Sequence, residues 1–415
     1  MKTEQFDVAV IGAGPAGAVA AALLNKQGWK VCVLEKQHFP RFVIGESLLP
    51  HCMTFLEEAG LLAAVQQEKI FQFKNGAAFT WGSRYSFFDF NEKFSDGPGT
   101  TFQVRRDRFD QILIEEAAKQ GADVRFGCAV TAFEQTDEGA FVAVESDNGE
   151  SYTVQARFVL DASGYGRVLP RLLDLEQPSD FPVREAHFTH IDDHIDDAEY
   201  DRNKILIGVH PQERDVWLWL IPFADGRCSI GAVGLPERFS GLGDSERIVK
   251  HFAAEIPLFA RLLKNAEWDN GVPYRAVKGY SANVKTLHGK GFALLGNAAE
   301  FLDPVFSSGV TIAMHSAKLA ADLLNRQLNG GEVNWQEAFS ERLMVGVDTF
   351  RTYVAGWYDG RFQDVIFSER RSPDISRMIS SILAGYAWDT ENPFVAKPER
   401  RLNVLAETVG RAELL

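Results

Sequence analysis

The chain has 415 residues, 46% of them hydrophobic and 12% aromatic, with 31 phenylalanines; this is past the size of a single hydrophobic core, so two associated lobes are expected and a disordered chain is excluded. A formal net charge of −14, with no run of more than two or three Lys or Arg residues, opposes attraction to a polyphosphate backbone and excludes a nucleic-acid partner. The apolar runs are too short for a transmembrane segment, and Cys32, Cys52, Cys128 and Cys228 lie far apart without CxxC or CxH spacing, so neither a zinc site nor a disulfide framework is expected.

The opening MKTEQFDVAVIGAG has no basic segment followed by an apolar stretch and a cleavage site, so a cytoplasmic protein is expected. Residues 6–11 (FDVAVI) form a short apolar strand that runs into Gly12-Ala-Gly14-Pro-Ala16-Gly17, and AVAAALLNKQG follows as a helix of strong formers. In this strand, glycine turn and helix, Gly12 permits the turn, Gly14 lets the backbone approach a pyrophosphate, and Gly17 allows close helix packing. Unpaired N–H groups at the helix start face the phosphates. A second strand, 30–34, ends at Glu35, where an acid accepts hydrogen bonds from a ribose hydroxyl; glutamate in place of arginine argues against a 2′-phosphate.

Further along, Lys36 to Arg41 leads to Gly45-Glu46-Ser47-Leu-Leu-Pro50, and Lys74 sits among Phe71, Phe73, Phe79 and Trp81. An apolar wall is where a lysine is costly unless it is used. The segment 102–110 heads a helix, the region after it reads as a hairpin, and 157–161 is a buried strand closing on a turn at Gly164. His187, His190 and His194 stand near Asp192 and Asp193, but His187 and His190 fall on opposite strand faces and no metal site is expected. Residues 215–222 alternate as a strand, placing Trp217 and Trp219 on one face. Next come Gly296, Asn297, Asp303 and Pro304, and then a helix beginning near Ser308-Gly309. The tail after 331 reads as helices, with Tyr386 and Trp388 as candidates for a cavity border.

On these segments the chain resembles the FAD monooxygenases of the p-hydroxybenzoate hydroxylase fold, within the branch of flavin-dependent halogenases and geranylgeranyl reductases. The resemblance runs to about residue 330 and rests on the glycine turn, the PRxxxGESLLP stretch, the KxGAxFxWG-like segment around Lys74, WxWxIP at 217–222, and the motif ending in Asp303-Pro304. It implies an α/β protein: a Rossmann-type FAD-binding domain (1–75, 100–180, 275–330), an inserted antiparallel β-sheet substrate domain (76–99, 181–274), and a C-terminal helical region (331–415). FAD would contact Gly12, Gly14, Ala16, Gly17, Glu35, Lys36, Arg41, Glu46, Ser47, Gln103, Arg106, Val130, Asp161, Gly164, Gly296, Asn297, Asp303, Pro304 and Gly309. Between Gln103 and the arginines near it the choice stays open, and Asn297 stands where the commonest motif has aspartate.

Under the same resemblance Trp217 and Trp219 lie beside the flavin and keep substrate from it. The turn at Ser308 and Gly309 holds halide, and Lys74 meets hypohalite formed from a flavin hydroperoxide. The implied activity is halogenation of an electron-rich aromatic, a phenol, a pyrrole or a carrier-tethered ring. Phe306 replaces the glutamate of tryptophan halogenases. A non-halogenating reductase or an aromatic monooxygenase of the same branch is the alternative. One GxGxxG unit, with no second one for a nicotinamide, implies a separate flavin reductase.

Overall fold

The computed structural model describes residues 2–413. The strand Thr3–Ile11 is buried from Val8 onward, as a central strand covered on both faces must be. It pairs in parallel with Val31–Leu34 on one side and with Ser151–Asp161 on the other. Phe292–Leu294 and Asp123–Arg125 extend this sheet outward, and the hairpin Cys128–Thr136/Gly139–Ser146 joins it through Ser151–Asp161.

The crossover from the first strand to the second is the helix Pro15–Lys26, which starts on extended Gly14 with Pro15 in its first turn. Ten of its residues, Pro15 to Leu24, are buried, and its alanines let it pack closely on the helices Ser308–Leu328 and Arg106–Lys119. Two glycines are obligatory here. Gly12 has φ +98°, and a Cβ on it would lie 2.6 Å from the Ala162 carbonyl oxygen; a Cβ on Gly17 would lie 2.0 Å from the Gly12 carbonyl oxygen.

The second sheet has seven strands in the order Arg275–Lys278, Glu185–Asp192, Arg227–Gly234, Trp217–Pro222, Lys204–Val209, Gly76–Trp81, Arg84–Asp89. It departs from the expected substrate domain in two ways. Gly76–Trp81 and Lys204–Val209 pair in parallel, so the sheet is mixed; the two strands arrive from distant parts of the chain and no hairpin constrains their direction. Arg275–Lys278, expected in the FAD-binding part, is an edge strand of this second sheet.

Both faces of the second sheet are covered. Leu206, Leu218, Leu220 and Ile230 pack under Phe252 of the helix Ser245–Glu255 and Phe259 of Pro257–Leu262. The alternate residues Ile205, Ile207, Trp217, Trp219 and Ile221 face the other way, into the core shared with the first sheet. The tail closes the gap between the sheets. Trp357, at the end of the helix Arg342–Tyr358, meets Phe79 of the second sheet at 6.0 Å and Phe306 at 5.8 Å between ring centroids.

Candidate functional site

Between the two sheets lies a cleft of about 810 Å³. The glycine turn forms part of its wall, with Gly12, Gly14 and Ala16 on the lining. Across from the turn stands Arg41: a Cβ on Gly14 would lie 3.6 Å from its Nη2, so the backbone and the guanidinium enclose a narrow space. The guanidinium rests 4.5 Å from the Phe39 ring and 3.2 Å from Asp110, and its buried Nε has no hydrogen-bond partner in the protein. A buried donor is rarely left so. A helix start, a turn whose Gly12 and Gly17 admit no side chain, and an unsatisfied guanidinium together have the chemistry that suits a pyrophosphate.

Glu35, at the end of its strand, accepts hydrogen bonds from the backbone N–H groups of Ala13 and Gln37, both at 2.9 Å. These bonds orient its carboxylate beside the turn and leave lone pairs free for a diol. Lys36, Val130 and Gly164 also line the cleft. Arg106 braces the GES segment by donating to the carbonyls of Ile44 (2.9 Å) and Gly45 (3.2 Å), while a two-pronged ion pair to Asp110 at 2.7 and 3.0 Å holds it in place. Glu46 lines the cleft and bonds His190 Nε2 at 2.6 Å, tying the first sheet's loop to the second sheet.

The wall contributed by the second sheet is aromatic and aliphatic. Trp217, Trp219, Ile205, Ile207 and Ile221 line it, with the two indoles 6.0 Å apart. Each indole N–H is satisfied, Trp217 by Tyr358 Oη at 2.9 Å and Trp219 by Ser229 Oγ at 3.0 Å. Tyr358 in turn donates to Asp303 at 2.9 Å, and Tyr280 donates to the same oxygen at 3.2 Å. Burial pushes the Asp303 carboxyl up to about 6, against the opposing pull of Arg184 and these hydrogen bonds. Gly296, Asn297, Pro304, Ser307 and Gly309 complete the lining, and the start of the 21-residue helix Ser308–Leu328 opens beside them.

Several expected site residues stand elsewhere. Gln103 is fully buried and donates to the Arg202 carbonyl at 3.1 Å, away from the cleft; Arg105 and Arg108 are paired with Asp107 and Glu68, so Arg106 is the residue of this segment that reaches the lining. Asp161 braces its own turn, accepting from Ser163 N at 2.9 Å and Leu169 N at 2.6 Å. Gly17 serves helix packing. Asp303 caps the turn after it and acts on the cleft through Tyr358. Ser308 is buried and off the lining, so at the helix start Ser307 and Gly309 line the cleft. Tyr386 stacks on His51 at 4.6 Å and Trp388 on His315 at 3.9 Å, both off the lining.

Lys74 is the largest departure. Its side chain is wholly buried behind the cleft wall, with Nζ donating to Ser47 Oγ at 2.8 Å and to the Leu48 carbonyl at 2.7 Å, and lying 5.4 Å from the Phe90 ring. Phe73, expected beside it, is 43% exposed, because neighbouring residues of a strand face opposite sides. Burial pulls the Lys74 ammonium down to about 7. Ser47 reaches the cleft; Lys74 touches it through Ser47. Sequence reading gave no site role to Tyr358 or Tyr280, and weighed His190 only as a metal ligand. Ile205 and Ile207 carried the same alternation that revealed the tryptophans.

Comparison with known proteins agrees with this geometry. The family model of an FAD binding domain matches residues 5–222. A 1H-pyrrole-2-carbonyl-(peptidyl-carrier protein) chlorinase of Pseudomonas fluorescens is 31% identical over 77% of this chain and 76% of its own. The chain belongs to the flavin-dependent halogenase family. It is an FAD-dependent oxidoreductase on a Rossmann-type α/β fold. A second member of the family, a tryptophan 2-halogenase of Chondromyces crocatus, is 33% identical over 82% of this chain, which spans 65% of that relative's length. The solved structure of a flavoprotein/dehydrogenase from Cytophaga hutchinsonii shares 46% identity over 99% of this chain and 100% of its own, with a TM-score of 0.94. FAD fits this family member's cleft: the cradle at Gly14 and the unsatisfied Arg41 suit its pyrophosphate, and the volume lies within the range of cofactor sites. Among the described residues no helix is long and apolar enough to cross a membrane.

Proposed function

We propose that this flavoenzyme halogenates an electron-rich aromatic ring, a phenol or pyrrole, free or tethered to a carrier protein. The observation that carries the reading is one cleft lined by both Trp217–Trp219 and Ser47, with the Lys74 amine buried directly behind Ser47. FAD, when bound and reduced, supplies oxygen activation and the oxidation of halide. Gly12, Gly14, Ala16 and Arg41 hold its pyrophosphate, Glu35 and Lys36 its ribose, and Val130 and Gly164 the same region. Glu46, Ser47, Arg106, Gly296, Asn297, Pro304 and Gly309 hold the rest.

The start of the helix Ser308–Leu328 receives halide on backbone N–H groups, as helix starts do for anions. The two indoles, held by Tyr358 and Ser229, fill the wall so that an aromatic substrate is kept from the cofactor. Lys74 serves transfer to the ring. A proton held at about 7 is available near neutral pH, where general acids are most effective. One relative is named for tryptophan and another for a carrier-tethered pyrrole; Phe306 in place of a glutamate favours the second kind.

With one GxGxxG unit in the chain, a separate reductase delivers the electrons. Four buried, unpaired cysteines suit the cytoplasm. The test is product mass spectrometry with chloride and with bromide on phenols and pyrroles, free and carrier-bound, with a flavin reductase and then with NADPH alone. Halide-dependent product is expected with the reductase, and slow flavin reduction without it. Reduction or hydroxylation of an acceptor, with no halogenated product from any, refutes the proposal.

A further inference from the structure

Ser47 is the residue that touches both Lys74 and the cleft. Its Oγ accepts from Lys74 Nζ at 2.8 Å, and among the described residues no other group bonds that oxygen, so its own O–H is free to point into the cleft. The lysine has no such freedom. The Leu48 carbonyl and the Phe90 ring hold the ammonium, and the serine backbone is fixed by the bridge between Ser47 and Gln103.

We propose that Ser47 is a catalytic residue of the halogen transfer, the relay through which Lys74 protonates hypohalous acid. The inference rests on the halogenase reading and assigns the contact with the oxidant to the serine. As the O–X bond of hypohalous acid breaks, Ser47 gives its proton to the oxygen, which leaves as water, and Lys74 Nζ–H replaces that proton. The aromatic carbon supplies the electron pair of the new C–X bond, so the ring is oxidised and the halogen reduced, and the ring proton displaced from that carbon restores the lysine. The titratable group that acts on Lys74 is Cys52, whose Sγ lies 3.1 Å from Thr311 Oγ1; Glu46, next to Ser47 in the chain, is bonded to His190 and interacts with Arg106. Burial pulls the Lys74 ammonium to about 7, which suits it to refill the serine near neutral pH.

The experiment measures halogenated product formed per oxygen consumed, with a soluble nucleophile added to trap escaped hypohalous acid, for the wild type, Ser47→Ala, Ser47→Thr and Lys74→Met. For Ser47→Ala the ratio is expected to fall about tenfold or more, with the shortfall recovered on the trap, and for Ser47→Thr to stay within about threefold of wild type. The wild-type ratio declines as pH rises through about 7, and Ser47→Ala loses that decline. An unchanged ratio and pH profile in Ser47→Ala overturns the relay. So does a fall in product matched by an equal fall in oxygen use, which marks a residue that only binds cofactor. Loss of product in Lys74→Met but not in Ser47→Ala removes the relay and leaves the halogenase reading standing; no halogenated product from wild type removes both.

Discussion

The pH dependence of stability, compared between the wild type and Lys74→Met, isolates the cost of burying an ammonium. The ordinary lysine value of 10.5 falls to about 7 in the fold, and at about 1.4 kcal/mol per pH unit this is a penalty of about 5 kcal/mol on the charged form. The folded value lies below the unfolded one, so the penalty is complete below pH 7, where both states hold the proton. Between about 7 and 10.5 the unfolded chain holds a proton that the native one has released, and stability rises with pH. Lys74→Met has no such rise. It leaves Ser47 Oγ and the Leu48 carbonyl without their donor, which costs about 1 to 3 kcal/mol for each buried group. At pH 7 the two effects largely offset each other, and by pH 10 the wild type is the more stable. Urea unfolding of both proteins at pH 7, 8, 9 and 10, at constant ionic strength, gives the difference directly, with other titrating groups cancelling. The wild-type advantage should grow by about 1.4 kcal/mol per pH unit; a difference that stays flat across this range refutes the argument from burial.

In Gly14→Val the added methyls occupy the space between the helix start and Arg41, and FAD affinity measured by flavin fluorescence should fall about a hundredfold or more, near 3 kcal/mol, with unfolding unchanged; wild-type affinity would remove the glycine turn from the pyrophosphate site. Arg41→Ala takes away the unsatisfied guanidinium, and the same titration should show about a tenfold to hundredfold loss. Retained affinity would leave the orphaned Nε unexplained. Tyr358→Phe deletes the acceptor of the Trp217 N–H and one donor to Asp303, and should lower stability by about 1 to 3 kcal/mol in urea with a shift in tryptophan emission. Unchanged emission would mean that the indole is held by packing alone.

What the chain dictates locally was legible in it. The strand, glycine turn and helix of residues 3–26 could be read because the turn's chemistry resides in those residues: Gly12 must adopt φ +98° and Gly17 must meet a carbonyl at a distance no Cβ permits. The shared face of Trp217 and Trp219 followed from the period of a strand and appears in the structure as a split of alternate residues between two cores. The register of sheets built from distant segments was not legible. Nothing local orients Gly76–Trp81 parallel to Lys204–Val209 or adds Arg275–Lys278 to the same sheet. Nor could one sequence rank Gln103 against three nearby arginines, because the choice depends on where Asp110 and the carbonyls of Ile44 and Gly45 come to lie.

Tertiary packing likewise decided how the candidate residues work. Trp217 is tied to Asp303 through Tyr358, a residue of the C-terminal helices 141 positions from the tryptophan. Lys74 meets the cleft at second hand, through a serine 27 positions earlier. Sequence by itself determined the parts whose conformation is set by near neighbours, namely the glycine turn, the acid after the second strand, and the tryptophan face. Only the tertiary structure settled which polar groups are buried together, because hydrogen bonds and desolvation act between residues that become adjacent after the two sheets and the tail have closed on one another.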